Sequence, residues 1–162
     1  MTVGVPGGFV RAVAKLSSAV LAGVALTVLV LELALRRLDG PDYIRVRKAE
    51  FSYFNWFIGL VLAPTLIAVV VLVVQARRSH GRLLSPELLA LGLLVVAIAI
   101  TLAVNGPINL EQLNWSPATP PPDWSQVRDR WQLAHAARTA VLVLNLAVLH
   151  VPPKRRAGAS EG

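Results

Sequence analysis

The sequence predicts an all-α, polytopic membrane protein folded as a four-transmembrane-helix bundle. The first observation is compositional: hydrophobic residues make up 55% of the chain and charged residues only 15%, against roughly 25% charged in soluble domains. The second is size. A chain of 162 residues leaves about a third of its unfolded surface in water after folding, too much to hide this apolar excess internally, so the surplus must face lipid. The third is the pattern of four long apolar runs parted by charged or proline-rich breaks. Lys and Arg exceed Asp and Glu by 16 to 9, a formal charge of +7. The basic residues gather at the ends of apolar runs, where they read as anchors to lipid headgroups, and no nucleic-acid partner is expected. Cysteine is absent, which excludes disulfides, thiolate metal sites and cysteine nucleophiles.

The first run, Leu16 to Leu35, is interrupted only by Ser17, Ser18, Gly23, Thr27 and Glu32. At about 1.5 Å per residue it matches a roughly 30 Å hydrocarbon core, and it predicts a helix over about 12–36. A secretory signal would have a shorter core and a small-residue cleavage site, so this segment is read as a retained span. The second helix is expected over about 54–75, with Pro64 near its middle introducing a kink. Ser85-Pro86-Glu87 is a helix-start signal of cap, first-turn proline and early acid, and the third helix is read as 86–104, stopping at Asn105-Gly106-Pro107. A long polar loop, 105–127, leads to the fourth helix, about 128–151. That last helix is the least lipophilic, carrying His135, Arg138 and Asn145, so its polar face belongs in the bundle interior. Residues 1–151 thus form one domain, and the basic, then small and polar tail 152–162 reads as disordered.

With Arg138 set aside inside the fourth span, positive charge divides eight to seven between the two faces, a small excess that assigns both termini to the cytoplasmic side of the cell membrane. In either orientation the 36–52 loop and the 105–130 segment emerge on one face, with His80 and His150 at the other.

The most informative pattern is Arg128, Trp131, His135, Arg138, Leu142 and Asn145, whose alternating steps of three and four put all six on one stripe of a helix. Ionisable groups at membrane depth are costly and commonly line polar cavities, which makes His135 and Arg138 candidate site residues. The alternative is structural: the arginines reach the headgroups while His135 bonds a helix carbonyl. Glu32 either pairs with Arg36 one turn on or partners Arg138 across the bundle. Glu50, Asn55 and Trp56 face the same end. Asn105 and Asn109 flank the proline that ends the third helix and can both donate and accept. Trp115, Trp124 and Trp131 serve either as an interfacial belt or as stacking walls for a flat aromatic ligand. His135 and His150 stand roughly 22 Å apart along one helix and cannot share a metal, and no second histidine is near His135, so no metal site is expected.

Asn105-x-Pro107-x-Asn109, then Trp115, then Asp123-Trp124-x-x-x-Arg128-x-Arg130-Trp131-x-x-x-His135-x-x-Arg138 resembles the anthrone oxygenase-like family of small four-helix integral membrane proteins. Leu21-Ala22-Gly23 and Leu38-Asp39 extend the resemblance to the first helix. It implies an oxidoreductase, a monooxygenase acting on a lipophilic, anthrone-type aromatic with dioxygen as co-substrate and no cofactor. On that basis His135 acts as base, Arg138, Asn105 and Asn109 stabilise the oxyanion, and Trp115, Trp124, Arg128, Trp131 and Glu32 complete the binding site. The competing reading is a noncatalytic membrane protein, a partner subunit or small-molecule binder, whose polar stripe only holds the bundle together. The expected partners are the bilayer and a lipophilic aromatic small molecule; a transport path would further require a homodimer.

Overall fold

The computed structural model describes residues 7–80 and 85–151, and among these it is all helical apart from turns and one isolated bridge between Ser116 and Thr119. The elements are α1 (Gly7–Leu35), α2 (Gly40–His80), α3 (Pro86–Ile100), a π-helical turn (Thr101–Asn105), α4 (Gly106–Leu113) and α5 (Trp124–His150). Four stretches, Gly7–Leu35, Trp56–Arg78, Pro86–Leu113 and Trp124–His150, are long and apolar enough to cross a membrane. The expected disordered tail, 152–162, lies outside the described residues.

Two stretches read as loops are helical. The 36–52 loop is mostly the amino-terminal part of α2, because Asp39-Gly40-Pro41-Asp42 is itself a start signal: the Asp39 side chain accepts from the backbone N–H of Asp42 at 2.9 Å, and proline sits in the first turn. This part is amphipathic, burying Tyr43, Ile44 and Arg47 against the bundle while Arg45 faces water. α2 also continues unbroken through Pro64. The second such stretch begins at Asn105-Gly106-Pro107, which does not stop the chain from being helical. One residue is accommodated in a π turn, the N–H of Gly106 bonds the carbonyl of Thr101 five residues back, and α4 follows directly. Proline lies in the first turn of α4, where its missing N–H costs little. A side chain before it would be crowded: a Cβ at position 106 would lie 3.0 Å from the Thr101 carbonyl oxygen.

The helices pack as a ring in the order α1, α2, α3, α5, and the seam between α2 and α3 is the thinnest of the four. At the end nearer the termini the core is made of small residues, Ala14, Ala22, Ala68, Ala90 and Ala97, with Leu72, Leu94 and Leu149, which lets the backbones approach closely. Ser18 donates to Asn145 at 3.1 Å, and Asn145 donates to the Ala90 carbonyl at 2.8 Å, tying α1, α3 and α5. At the other end Leu35, Tyr43, Ile44, Ile108, Trp115, Val127 and Trp131 form a second, aromatic-rich cluster under α4. Large apolar side chains such as Leu16, Leu60, Leu89 and Leu133 are exposed on the outside, the surface expected of helices in lipid.

Candidate functional site

Between the two clusters lies a cavity of about 250 Å³, walled by all four long helices and the π turn. Its surface is mostly aliphatic, from residues such as Leu21, Val28, Ile58, Leu62, Ile98 and Leu102, and its polar lining is Arg47, Glu50, Thr101, Asn109, Trp131, His135 and Arg138. The size lies just below the ~300–1,000 Å³ typical of ligand pockets and suits one compact ring system.

The polar wall is one continuous ladder. Arg47, buried near the top of α2, donates through Nη1 to Glu32 at 2.8 Å and to Glu50 at 2.9 Å, through Nη2 to Asn109 at 3.2 Å and through Nε to Gln112 at 3.2 Å. Its guanidinium lies 4.2 Å from the centre of the Trp131 ring, close enough for cation–π attraction. Trp131 donates from its indole N–H to Asn109 at 2.7 Å and stacks on His135, with centroids 4.9 Å apart and planes 10° from parallel. Arg138 Nη2 then donates to His135 Nδ1 at 2.6 Å, while Nη1 donates to Thr101 at 3.0 Å.

This arrangement fixes the histidine. A guanidinium can only donate and a carbonyl can only accept, so Nδ1 carries the lone pair and Nε2 carries the proton that it gives to the Ala25 carbonyl at 3.0 Å. His135 lies on the cavity wall, but both ring nitrogens are engaged. No lone pair is left for the proton-abstracting role expected of it while Arg138 holds Nδ1. The Nε of Arg138, by contrast, is buried and has no partner.

Glu32 departs from both expected pairings. It is 1% exposed and is bound by Arg47 and by Gln132, whose Nε2 donates to both its carboxylate and its carbonyl at 3.0 Å. Arg36 instead reaches Asp129 across an exposed gap of 3.0 Å, and Arg138 lies deeper with Thr101 and His135. Glu32 therefore stands behind the wall, one hydrogen bond from the cavity. Asn105 is fully buried and donates to the Trp131 carbonyl at 3.1 Å, holding α5 against the π turn without lining the cavity. Trp115 is in the aromatic core and Trp124 packs on Tyr43 at 5.7 Å, with Arg128 over its ring at 5.0 Å. Of Trp115, Trp124, Trp131, Asn105 and Asn109, only Trp131 and Asn109 line the cavity.

Arg47, Gln112, Gln132 and Thr101 join the polar network without having been expected from the sequence. The signal for Arg47 was its spacing, since Tyr43, Arg47 and Glu50 fall at helical intervals once Asp39 is recognised as a cap. Gln132 was legible too, four residues after Arg128 and three before His135 on the same stripe. Burial pushes the Glu50 carboxyl above the ordinary carboxylate range; the nearby Glu32 adds to this, and Arg47 opposes it. The phenol of Tyr43 is likewise pushed up, first by burial and then by Glu32. Among the described residues no three of His, Asp or Glu gather in a group that could hold a metal ion.

A family model described as Anthrone oxygenase matches residues 51–148, more than half of the chain. No curated protein and no solved structure matches it.

Proposed function

The chain belongs to the anthrone oxygenase family, and from that premise we propose that it oxidises a lipophilic, phenolic carbon acid of the anthrone type with dioxygen inside the membrane, without a resident cofactor. The observation that carries this reading is the cavity itself: a largely aliphatic chamber at membrane depth with two arginines, Arg47 and Arg138, along one wall. An anthrone has a methylene group acidified by two aromatic rings and a carbonyl, and its anion places charge on oxygen. Arg138 has a buried, unpartnered Nε beside the cavity and suits that oxygen, because a preorganised donor in a dry site stabilises developing charge far better than water does. His135 and Thr101 hold the guanidinium in place. Trp131 offers a ring edge, and Asn109 completes the polar wall beside Arg47.

The reaction balances with dioxygen alone. The methylene loses a proton, its anion passes one electron to dioxygen, and the radical pair joins to form a carbon–oxygen bond. Loss of the second methylene proton with cleavage of the oxygen–oxygen bond leaves the quinone carbonyl and water. The eight-to-seven charge balance supports a cell-membrane protein with both termini cytoplasmic, which puts the Arg47 end of the cavity toward the opposite face.

Purified protein in lipid nanodiscs, given anthrone in an oxygen electrode cell, is expected to consume one dioxygen for each anthraquinone formed. Uptake no faster than in empty nanodiscs would overturn the oxygenase reading. The competing reading, a bundle whose polar stripe is structural, draws on the engaged nitrogens of His135 and on the Ser18–Asn145 tie, and it predicts that null result.

A further inference from the structure

A base that takes a proton from a carbon acid needs a free lone pair on the cavity wall and a fixed position. Most of the polar lining fails one of these conditions. Arg47 and Arg138 have no acceptor. Thr101 accepts from Arg138 and donates to the Ala97 carbonyl. Asn109 Oδ1 already accepts from Trp131 and Arg47, and an amide is a negligible base in any case. Both nitrogens of His135 are engaged. Glu50 comes nearest to meeting both: the residue lines the cavity, its Oε2 is held by Arg47 at 2.9 Å, and its Oε1, tucked beneath the cavity surface, has no hydrogen-bond partner.

Resting on the oxygenase reading above, we infer that Glu50 is the proton acceptor of this cavity, taking the substrate's methylene proton on Oε1 and returning it to the reduced oxygen. The first carbon–hydrogen bond breaks toward Oε1 and its electron pair stays in the ring system, spread onto the oxygen near Arg138. After dioxygen has taken an electron and recombined, the protonated Glu50 gives its proton to the peroxide anion. The carboxylate then removes the second methylene proton as the oxygen–oxygen bond breaks. The hydroxide released takes that proton back as water, and Glu50 ends as it began.

The surroundings tune it for this task. Burial, and then the Glu32 carboxylate that shares the guanidinium of Arg47, leaves Glu50 a stronger base than a solvated carboxylate, although Arg47 opposes the rise. The charged groups that act on it are Arg47 on its own helix and Glu32 on α1; the other titratable groups of the cavity wall are His135 and Arg138 on α5, and α4 contributes only the amide of Asn109 to that wall. Glu50 also precedes the stretch matched by the family model, which begins at Phe51, so this assignment rests on the chain's own geometry.

Proton abstraction can be read without the oxidation. Under anaerobic conditions in D₂O, protein in nanodiscs should speed exchange of the methylene hydrogens of anthrone, followed by mass spectrometry. Glu50→Gln, which keeps the shape and the acceptor toward Arg47, should lower both exchange and oxygen uptake by about 10²–10⁴-fold, while still binding anthraquinone, seen as quenching of tryptophan fluorescence. Glu50→Asp should restore part of the exchange. Exchange by Glu50→Gln at the wild-type rate overturns the role of Glu50 and leaves the oxygenase reading standing, whereas a wild type that neither exchanges nor consumes oxygen overturns both. Should Glu50→Gln fail to fold, the wild-type exchange rate against pH decides: it should rise through a single ionisation above the ordinary carboxylate value and keep that limb in His135→Gln. A profile without the limb, or one lost with His135, overturns the assignment.

Discussion

Replacing Arg47 by methionine would leave Glu32 buried with only Gln132 for company, and an unpaired buried charge is one of the costlier lesions a fold can carry. The single variant should lose about 3–5 kcal/mol in denaturant unfolding, and Arg47→Met combined with Glu32→Leu should recover most of it, since removing both charges abolishes the desolvation penalty. Arg138 makes a different kind of contribution. Arg138→Met should lower turnover of anthrone by about 10²–10³-fold, the usual loss for one oxyanion donor. His135→Ala should act on the same step by letting the guanidinium swing, so the two effects should not add; a double-mutant cycle should show a coupling of about 0.5–3 kcal/mol. His150, exposed at the far end of α5 and bonded only within its own helix, provides the control, and His150→Ala should leave turnover unchanged. Glu50 adds a pH dependence with a definite sign. Its carboxyl is held above the ordinary 4.5 chiefly by burial, so a rate that needs the carboxylate should climb with pH through that raised value and fall away in acid.

At the level of the elements, two glycines set the geometry. A Cβ on Gly40 would meet the indole nitrogen of Trp124 at 3.0 Å and Pro120 at 3.2 Å, and one on Gly106 would meet the Thr101 carbonyl. Gly40→Ala and Gly106→Ala should each cost about 1–3 kcal/mol in thermal unfolding, whereas Gly92→Ala, with nothing within 4 Å, should be neutral or stabilising. These positions also explain what the sequence could and could not disclose. The four spans were legible because apolar runs of this length have one physical outcome in lipid, and the α5 stripe was legible because its polar residues recur at helical intervals. The amino-terminal part of α2 was obscured by its charge, with Arg45 exposed and Lys48 half-buried, and only Asp39 and Pro41 betrayed a helix start. The π turn left no signature at all, because Asn105-Gly106-Pro107 is an equally good helix stop until tertiary contacts, such as Asn105 on the Trp131 carbonyl, favour the insertion. Glu32 was assigned the wrong partners for the same reason: its real one, Arg47, lies on a segment read as a loop.

For the whole molecule, the ring of α1, α2, α3 and α5 puts Ser52 and Ser116 on the same face, both exposed. In this cysteine-free chain, Ser52→Cys and Ser116→Cys should be labelled by a membrane-impermeant maleimide from one side of intact vesicles and not from the other; labelling from opposite sides would contradict the bundle. The ring also has a direction in time. α5 is the least apolar of the four spans, and every cross-bundle partner of its polar stripe belongs to an element earlier in the chain: Glu32 for Gln132, Ala25 for His135, Thr101 for Arg138, and Ser18 and Ala90 for Asn145. During synthesis from the amino end, the segment least able to stay in lipid alone is thus the last to arrive, and it meets a socket already built for it.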